Sequence, residues 1–210
     1  MTLSLLLAVC AFALSIERSA YLQLYHTPAR QTGVFATAVV LCLLWQIKAG
    51  ILPGLHIHVL GLTAATLILG WRLGLLSATL ATLLSFVLQS ETTLAELGDI
   101  WLLGAIFPVY FSYGLFLLVY HTLPRHFFVY IFVCAFLAGG LTAAMRIVLT
   151  SVYFWASGEY DWHTLQENFF YFSVIMWFPE AMLNGMAITL LITYRPHWVK
   201  TFYDKEYLNQ

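Results

Sequence analysis

The chain has 210 residues, of which 61% are hydrophobic and only 9% are charged, and its formal net charge is −1. Soluble domains carry about 25% charged residues, so this composition excludes a soluble domain and, with a mean hydropathy of +0.84, predicts an all-α integral membrane protein. The net charge says nothing about nucleic acid, and no basic run supports such a partner, so we expect none.

The apolar runs predict seven spans within one transmembrane domain. The first run has the length of a signal sequence, but it lacks a positive n-region and a small-residue cleavage site, so we expect a retained span. A polar connection is predicted over residues 17–31. One long helix over residues 57–88 is disfavoured by Gly70, Arg72 and Gly74. The predicted spans are 2–21, 33–47, 57–70, 73–88, 101–120, 127–155 and 169–193.

The distribution of Lys and Arg predicts the orientation of these spans. With seven spans, one face carries only Lys48, together with the acidic loops 89–99 and 156–168. The positive-inside rule therefore places the N-terminus outside and the C-terminus in the cytoplasm. The other face carries the remaining loop cations, Arg18, Arg30, Arg72, Arg125, Arg195, Lys200 and Lys205.

Two histidines, His56 and His58, follow a Pro53-Gly54 break and precede a long apolar run. On a helix these imidazoles would lie about 200° apart and could not share a ligand, whereas a non-helical backbone lets both bind one ion. Irregular backbone is tolerated at membrane depth only where protein buries it or where it lines a cavity. The pattern predicts a small polar site at the outer mouth of the bundle, and we interpret it as a metal site with imidazole ligands. The alternative is a pair of interfacial histidines at a helix start.

Polar residues also occur inside the predicted spans. Arg146 and Glu180 lie at matching depths of about 14–17 Å, so we expect them to pair directly or through a polar network. Asn184 is one helical turn from Glu180 on the same face and would add a third polar side chain to this pair. We interpret the pair first as structural, orienting two helices, with gating as the alternative.

Asp99 stands where the fifth span is predicted to begin. It is expected to cap that helix, and the alternative role is an acceptor for the second ring nitrogen of a metal-binding histidine. No motif of ATP hydrolysis or peptidase chemistry occurs, so we predict that the chain is not an enzyme and that any pumping is driven by a partner.

Four segments together resemble the CbiM/NikM family, the metal-binding membrane components of energy-coupling-factor importers. Family members carry a metal-binding histidine, then a Gly-rich run and a Gly at the end of a short span, and residues His58–Gly70 are similar in position and spacing. Its "LTTLGAN" segment is similar to Thr93–Asp99, its "GPF" motif to Ala105–Val109, and its "IPLAIAEG" motif to Phe178–Gly185. The resemblance covers about residues 50–194.

The resemblance implies a substrate-binding component in the bacterial inner membrane, working with a transmembrane coupling subunit and ATPases. Family members begin Met-His-Ile, whereas this chain begins Met1-Thr2-Leu3, so half of the family's ligand set is missing. Asn184 stands where the family has Glu. The expected ligands are therefore His58 by resemblance, His56 as a replacement, and the terminal amine of Met1. Nickel, cobalt, zinc and copper all suit imidazole, so the metal stays open.

Two other functions remain open at this point. A membrane redox, haem or metalloprotein-assembly protein would need histidines facing each other across helices at similar depth, and such helix-phased histidines are missing. A structural membrane subunit would bind no ligand of its own.

Overall fold

The computed structural model describes residues 3–50, 52–89 and 93–207. Within this part of the chain, the regular structure is helical apart from one isolated β-bridge between Ala49 and Ile57. The α-helices are α1 (Leu3–Ser15), α2 (Arg18–His26), α3 (Pro28–Gln46), α4 (Leu62–Leu69), α5 (Trp71–Leu88), α6 (Leu94–Trp101), α7 (Phe107–Thr122), α8 (Phe127–Val129), α9 (Ala138–Ala156), α10 (Trp162–Leu165), α11 (Phe172–Tyr194) and α12 (Asp204–Tyr207). Three π-helical segments (Leu102–Ile106, Tyr130–Leu137 and Gln166–Phe170) join α6 to α7, α8 to α9 and α10 to α11, and Pro196–Trp198 is a 3-10 turn.

Five helical stretches of the described chain are long and apolar enough to cross a membrane, which confirms the all-α membrane fold. A sixth would be formed by α1 and α2 together, but these two are bent by 72° relative to each other. The seven-span count and the orientation therefore stay predictions. The five stretches are Pro28–Gln46, Trp71–Leu88, Glu96–Thr122, Phe127–Ala156 and Trp162–Tyr194.

The predicted polar connection over residues 17–31 is mostly helical. Residues Arg18–His26 form α2, and α3 already begins at Pro28. Proline suits the first turn of a helix, where its missing N–H costs no hydrogen bond, so it starts α3 directly after Thr27.

The predicted third span over residues 57–70 is not a helix of membrane length. Only α4 is helical there, and its eight residues extend about 12 Å, against a hydrocarbon core of about 30 Å. The described residues before α4, 47–50 and 52–61, are non-helical and include the β-bridge. Gly70 alone separates α4 from α5, with a φ of 78° that favours glycine.

The two ends of the bundle carry different features. We call the end with Gln46 of α3 and Leu88 of α5 the histidine end, because the connection bearing His56 starts there. The opposite end is the tail end, where residues 195–203 follow α11. Here the backbone N–H groups of Lys200 and Thr201 donate to the carbonyls of Ile68 and Leu67, at 2.9 and 3.3 Å. The last turn of α4 is thus joined to the tail.

Small residues allow α9 and α11 to pack closely. A Cβ atom added to Gly140 would lie 2.8 Å from the carbonyl oxygen of Trp177, and one on Gly139 would lie 3.0 Å from Cβ of Asn184. Because only glycine fits such distances, these positions set the spacing of the two helices that carry Arg146 and Glu180.

Candidate metal site

The connection from α3 to α4 folds back on itself before it enters the bundle. The amide of Ala49 donates to the carbonyl of Ile57 at 2.9 Å, and the amide of Ile57 donates in return at 2.7 Å. Gly54 makes the turn between them with a φ of 74°. The hydroxyl of Tyr160 donates to the carbonyl of Pro53 at 2.9 Å and ties the turn to the connection between α9 and α10. The Pro53-Gly54 break therefore produces the non-helical backbone that the sequence predicts.

Glu180 binds the backbone where this connection becomes α4. Its two carboxylate oxygens accept hydrogen bonds from the amides of Leu60 and Gly61, both at 2.7 Å. Asn184 donates to the same carboxylate at 2.8 Å and accepts from the amide of Ala64 at 2.7 Å. Both side chains are fully buried. Two residues of α11 thus satisfy amides at the N-terminal end of α4, where an anion also interacts favourably with the helix dipole.

Arg146 binds the same connection from α9. Its Nη1 donates to the carbonyl of His56 at 3.0 Å, whereas its Nε is buried and has no hydrogen-bond partner. In the described part of the chain, Arg146 forms no ion pair with Glu180 within 4 Å. The two charged groups are therefore connected through the backbone of residues 56–61, to which both form hydrogen bonds. The indole N–H of Trp45 donates to the carbonyl of Leu60 in the same segment, at 3.1 Å.

His56 and His58 are brought to one cavity of about 70 Å³ at the histidine end. We call it the histidine cavity. The His58 ring lies against Trp45, with a centroid distance of 5.6 Å, and its Nδ1 is 3.2 Å from the carbonyl oxygen of Val59. Since a carbonyl only accepts, this contact places the proton on Nδ1 and leaves the lone pair on Nε2. The cavity is lined by Trp45, Lys48, Gly54, His56, His58, Thr82, Ser85, Phe86, Gln89, Leu97, Ile100 and Arg146.

The electrostatics of the histidine cavity favour neutral imidazole. Burial lowers the pKa of His56 below its ordinary value, and the positive charges of Lys48 and Arg146 lower it further. Neutral imidazole is the form that binds metals. The same two cations oppose a divalent ion, although Lys48 also donates to Gln89 Oε1 at 2.6 Å. The described residues contain no group of three His, Cys, Asp or Glu side chains suited to a metal. Met1, the third expected ligand, lies outside the described residues.

Asp99 does not cap a helix, contrary to the expectation from its position. It lies inside α6, whose N-terminal cap is Thr93, and the Thr93 hydroxyl accepts from the amide of Glu96 at 3.3 Å. Asp99 Oδ1 accepts instead from the hydroxyl of Tyr153 at 2.6 Å. Within the part of the chain that the structure describes, Asp99 has no hydrogen bond to a histidine.

Sequence reasoning missed the contacts of Trp45, Lys48, Gln89 and Tyr153. Trp45 and Lys48 flank the end of α3, close in sequence to the histidines, so their proximity to the site was a usable signal. Gln89 and Tyr153 come from distant parts of the chain, and only the packing of α5 and α9 reveals them.

Comparisons with known proteins agree with this picture at the level of the family. A family model described as "Cobalt uptake substrate-specific transmembrane region", CbiM, matches residues 1–198. No curated protein and no solved structure shows a significant match to the chain.

Proposed function

Because the chain belongs to the CbiM family of cobalt uptake membrane proteins, we propose that it is the substrate-binding membrane component of an energy-coupling-factor importer for a divalent transition-metal ion. The observation that carries this proposal is the family match over residues 1–198, which covers nearly the whole chain. The family consists of transport components and not of enzymes. The ion is the cargo, and cobalt or nickel is the first expectation.

The proposed binding site is the histidine cavity. His56 and His58 line it together, and the tautomer of His58 leaves its Nε2 lone pair available to an ion. Two imidazoles suit late first-row metals, and water would complete the coordination of a transported ion that must also leave. The predicted orientation places this cavity outside the cell, where an importer collects its substrate.

Glu180, Asn184 and Arg146 are proposed as positioning residues for this site. They hydrogen-bond to backbone atoms of residues 56–64, and among the described residues none of the three forms a hydrogen bond with an imidazole ring. By satisfying the buried amides and a carbonyl, they keep the histidine segment in one conformation inside the bundle. Transport energy would come from a separate coupling subunit and ATPases, because the chain has no nucleotide-binding motif.

The test is the metal content of detergent-purified protein after loading with cobalt, nickel, zinc or copper, measured by mass spectrometry. We expect one ion per chain in the wild type and none in the His56→Ala, His58→Ala double variant. His163→Ala is the matched control, because His163 is exposed and its one described charged contact is Glu167, at 3.5 Å. Stoichiometric binding in the double variant would overturn the assigned site. No binding in the wild type would favour a structural subunit.

A further inference from the structure

A second and larger cavity, of about 390 Å³, opens at the tail end of the bundle. We call it the tail groove. It lies between the first turn of α5, the last turns of α7 and the tail around Lys200, at the opposite end of α5 from the histidine cavity. Its lining includes Trp71, Arg72, Phe116, Leu117, Tyr120 and Lys200.

The position and the walls of the tail groove are those of a membrane interface. Trp71 begins a span and Tyr120 lies near the end of another, so the groove is level with the ends of membrane-crossing helices. Trp and Tyr concentrate at this depth because they combine an apolar ring with a polar group. Phe116 and Leu117 extend the apolar wall towards the hydrocarbon region.

Positive charge converges on the groove. Arg72 stacks on Trp71, and its Nη2 contacts Glu17 at 2.5 Å, but its Nε is buried without a hydrogen-bond partner. The Lys200 side chain passes over Gly70, where an added Cβ would lie 3.2 Å from Cδ and 3.6 Å from Nζ. Gly70 is both the C-terminal cap of α4 and the N-terminal cap of α5, so opposite ends of two helix dipoles adjoin there, and the positive charge of the groove comes from the two side chains.

In the described part of the chain, little negative charge faces this cluster, since Glu206 accepts from the Tyr120 hydroxyl of the groove wall but pairs with Arg125. Glu17 is the one carboxylate among the charged groups acting on Lys200, whereas Arg30 and Arg72 both repel it. The partial burial of its ammonium, which has the largest effect, and these cations lower the pKa of Lys200, although the residue as a whole is exposed. An anion in the groove would relieve this repulsion and could accept hydrogen bonds from both Arg72 and Lys200.

We propose that the tail groove binds a phosphate group, and that its source is the headgroup of an anionic phospholipid. The cations recognise the phosphate, and the aromatic and aliphatic walls suit the adjoining glycerol and acyl chains. A free phosphate ion shares the first of these features but not the second.

The test measures the thermal stability of detergent-purified protein during titration with short-chain phosphatidylglycerol, short-chain phosphatidylcholine or inorganic phosphate. We expect stabilisation by phosphatidylglycerol at much lower concentration than by the other two. Lys200→Gln should raise the phosphatidylglycerol concentration needed about tenfold, because one charge-assisted contact is lost. This variant leaves the Arg72–Glu17 ion pair in place, so it is preferred to Arg72→Gln. Arg195→Gln is the matched control, since Arg195 is an exposed cation of the same end outside the groove.

Each outcome decides the proposal. Stabilisation by inorganic phosphate at the same concentrations, with the same sensitivity to Lys200→Gln, would support the phosphate site with the free ion as its source. Equal effects of phosphatidylglycerol and phosphatidylcholine would overturn it. So would an unchanged response in both Lys200→Gln and Arg72→Gln, or equal losses in Lys200→Gln and Arg195→Gln.

Discussion

Arg146 and Glu180 bind backbone atoms, and in the described part of the chain they form no ion pair with each other. Glu180 accepts two amide hydrogen bonds and Arg146 donates to one carbonyl, and all three backbone groups belong to residues 56–61. A buried carboxylate is costly unless donors surround it, and here Asn184 supplies a third. At the residue scale, the intramembrane charges are thus explained by the irregular backbone that they satisfy.

Replacing Glu180 by Gln should destabilise the protein by roughly 2 kcal/mol, because the amide nitrogen of Gln would face amide donors that need an acceptor. Thermal unfolding in detergent measures the loss. Glu167→Gln is the matched control, since that side chain is 62% exposed and should change stability little. Equal stability of Glu180→Gln and the wild type would show that the carboxylate is not needed to hold the segment.

Replacing Lys48 by Gln should tighten metal binding about threefold or more at low salt, because it removes a positive charge from the histidine cavity. Isothermal titration with cobalt or nickel measures the affinity. Lys200→Gln, at the other end of the bundle, should leave the affinity unchanged. The gain should shrink as ionic strength rises, and weaker binding in Lys48→Gln would place the ion elsewhere.

At the scale of elements, the decisive feature is α4, a short helix entered from an irregular segment. Its N-terminal end is held by α11 through Glu180 and Asn184, and its last turn is joined to the tail at Lys200. The helices that carry these contacts must keep a fixed spacing, so the glycines between α9 and α11 indirectly position the histidine segment.

Gly140→Ala should lower the melting temperature, because the new Cβ would lie 2.8 Å from the carbonyl oxygen of Trp177 and would separate α9 from α11. Gly114→Ala is a strict comparison, since a Cβ there meets no atom within 4 Å and alanine favours a helix. Thermal unfolding of both variants tests this. Equal destabilisation by the two substitutions would argue against close packing at Gly140.

At the scale of the whole molecule, the two cavities lie at opposite ends of α5, the one helix that the described linings share. The histidine cavity has Lys48 at its edge, and the tail groove collects Arg72 and Lys200. Loop cations concentrate at the tail end, which is the distribution expected of a cytoplasmic face.

This orientation predicts which loops an impermeant thiol reagent reaches in intact cells. In a background without Cys10, Cys42 and Cys134, Glu159→Cys should be labelled from outside. His126→Cys should be labelled only after the membrane is permeabilised. Both positions are exposed, so access of the reagent and not burial decides the result. The reverse pattern would invert the topology and place the histidine cavity inside the cell.

Composition and hydrophobic runs alone determined that this is a helical membrane protein, because lipid forces backbone hydrogen bonds into helices wherever the chain is apolar. The His58–Gly70 and Phe178–Gly185 patterns were likewise enough to indicate the family. The sequence also predicted the irregular backbone at Pro53-Gly54, since those residues disfavour a helix.

Only the tertiary structure decided how far that irregular backbone continues. Residues 57–61 are mostly apolar and were therefore predicted to belong to a span. They remain non-helical because Glu180, 120 residues further along the chain, accepts the hydrogen bond of the Leu60 amide. The role of Asp99 was decided in the same way, by the distant hydroxyl of Tyr153. A local sequence pattern indicates the secondary structure that a segment favours. A buried backbone N–H or C=O group can stay outside a helix only where another residue supplies its hydrogen bond, and here that residue is remote in sequence.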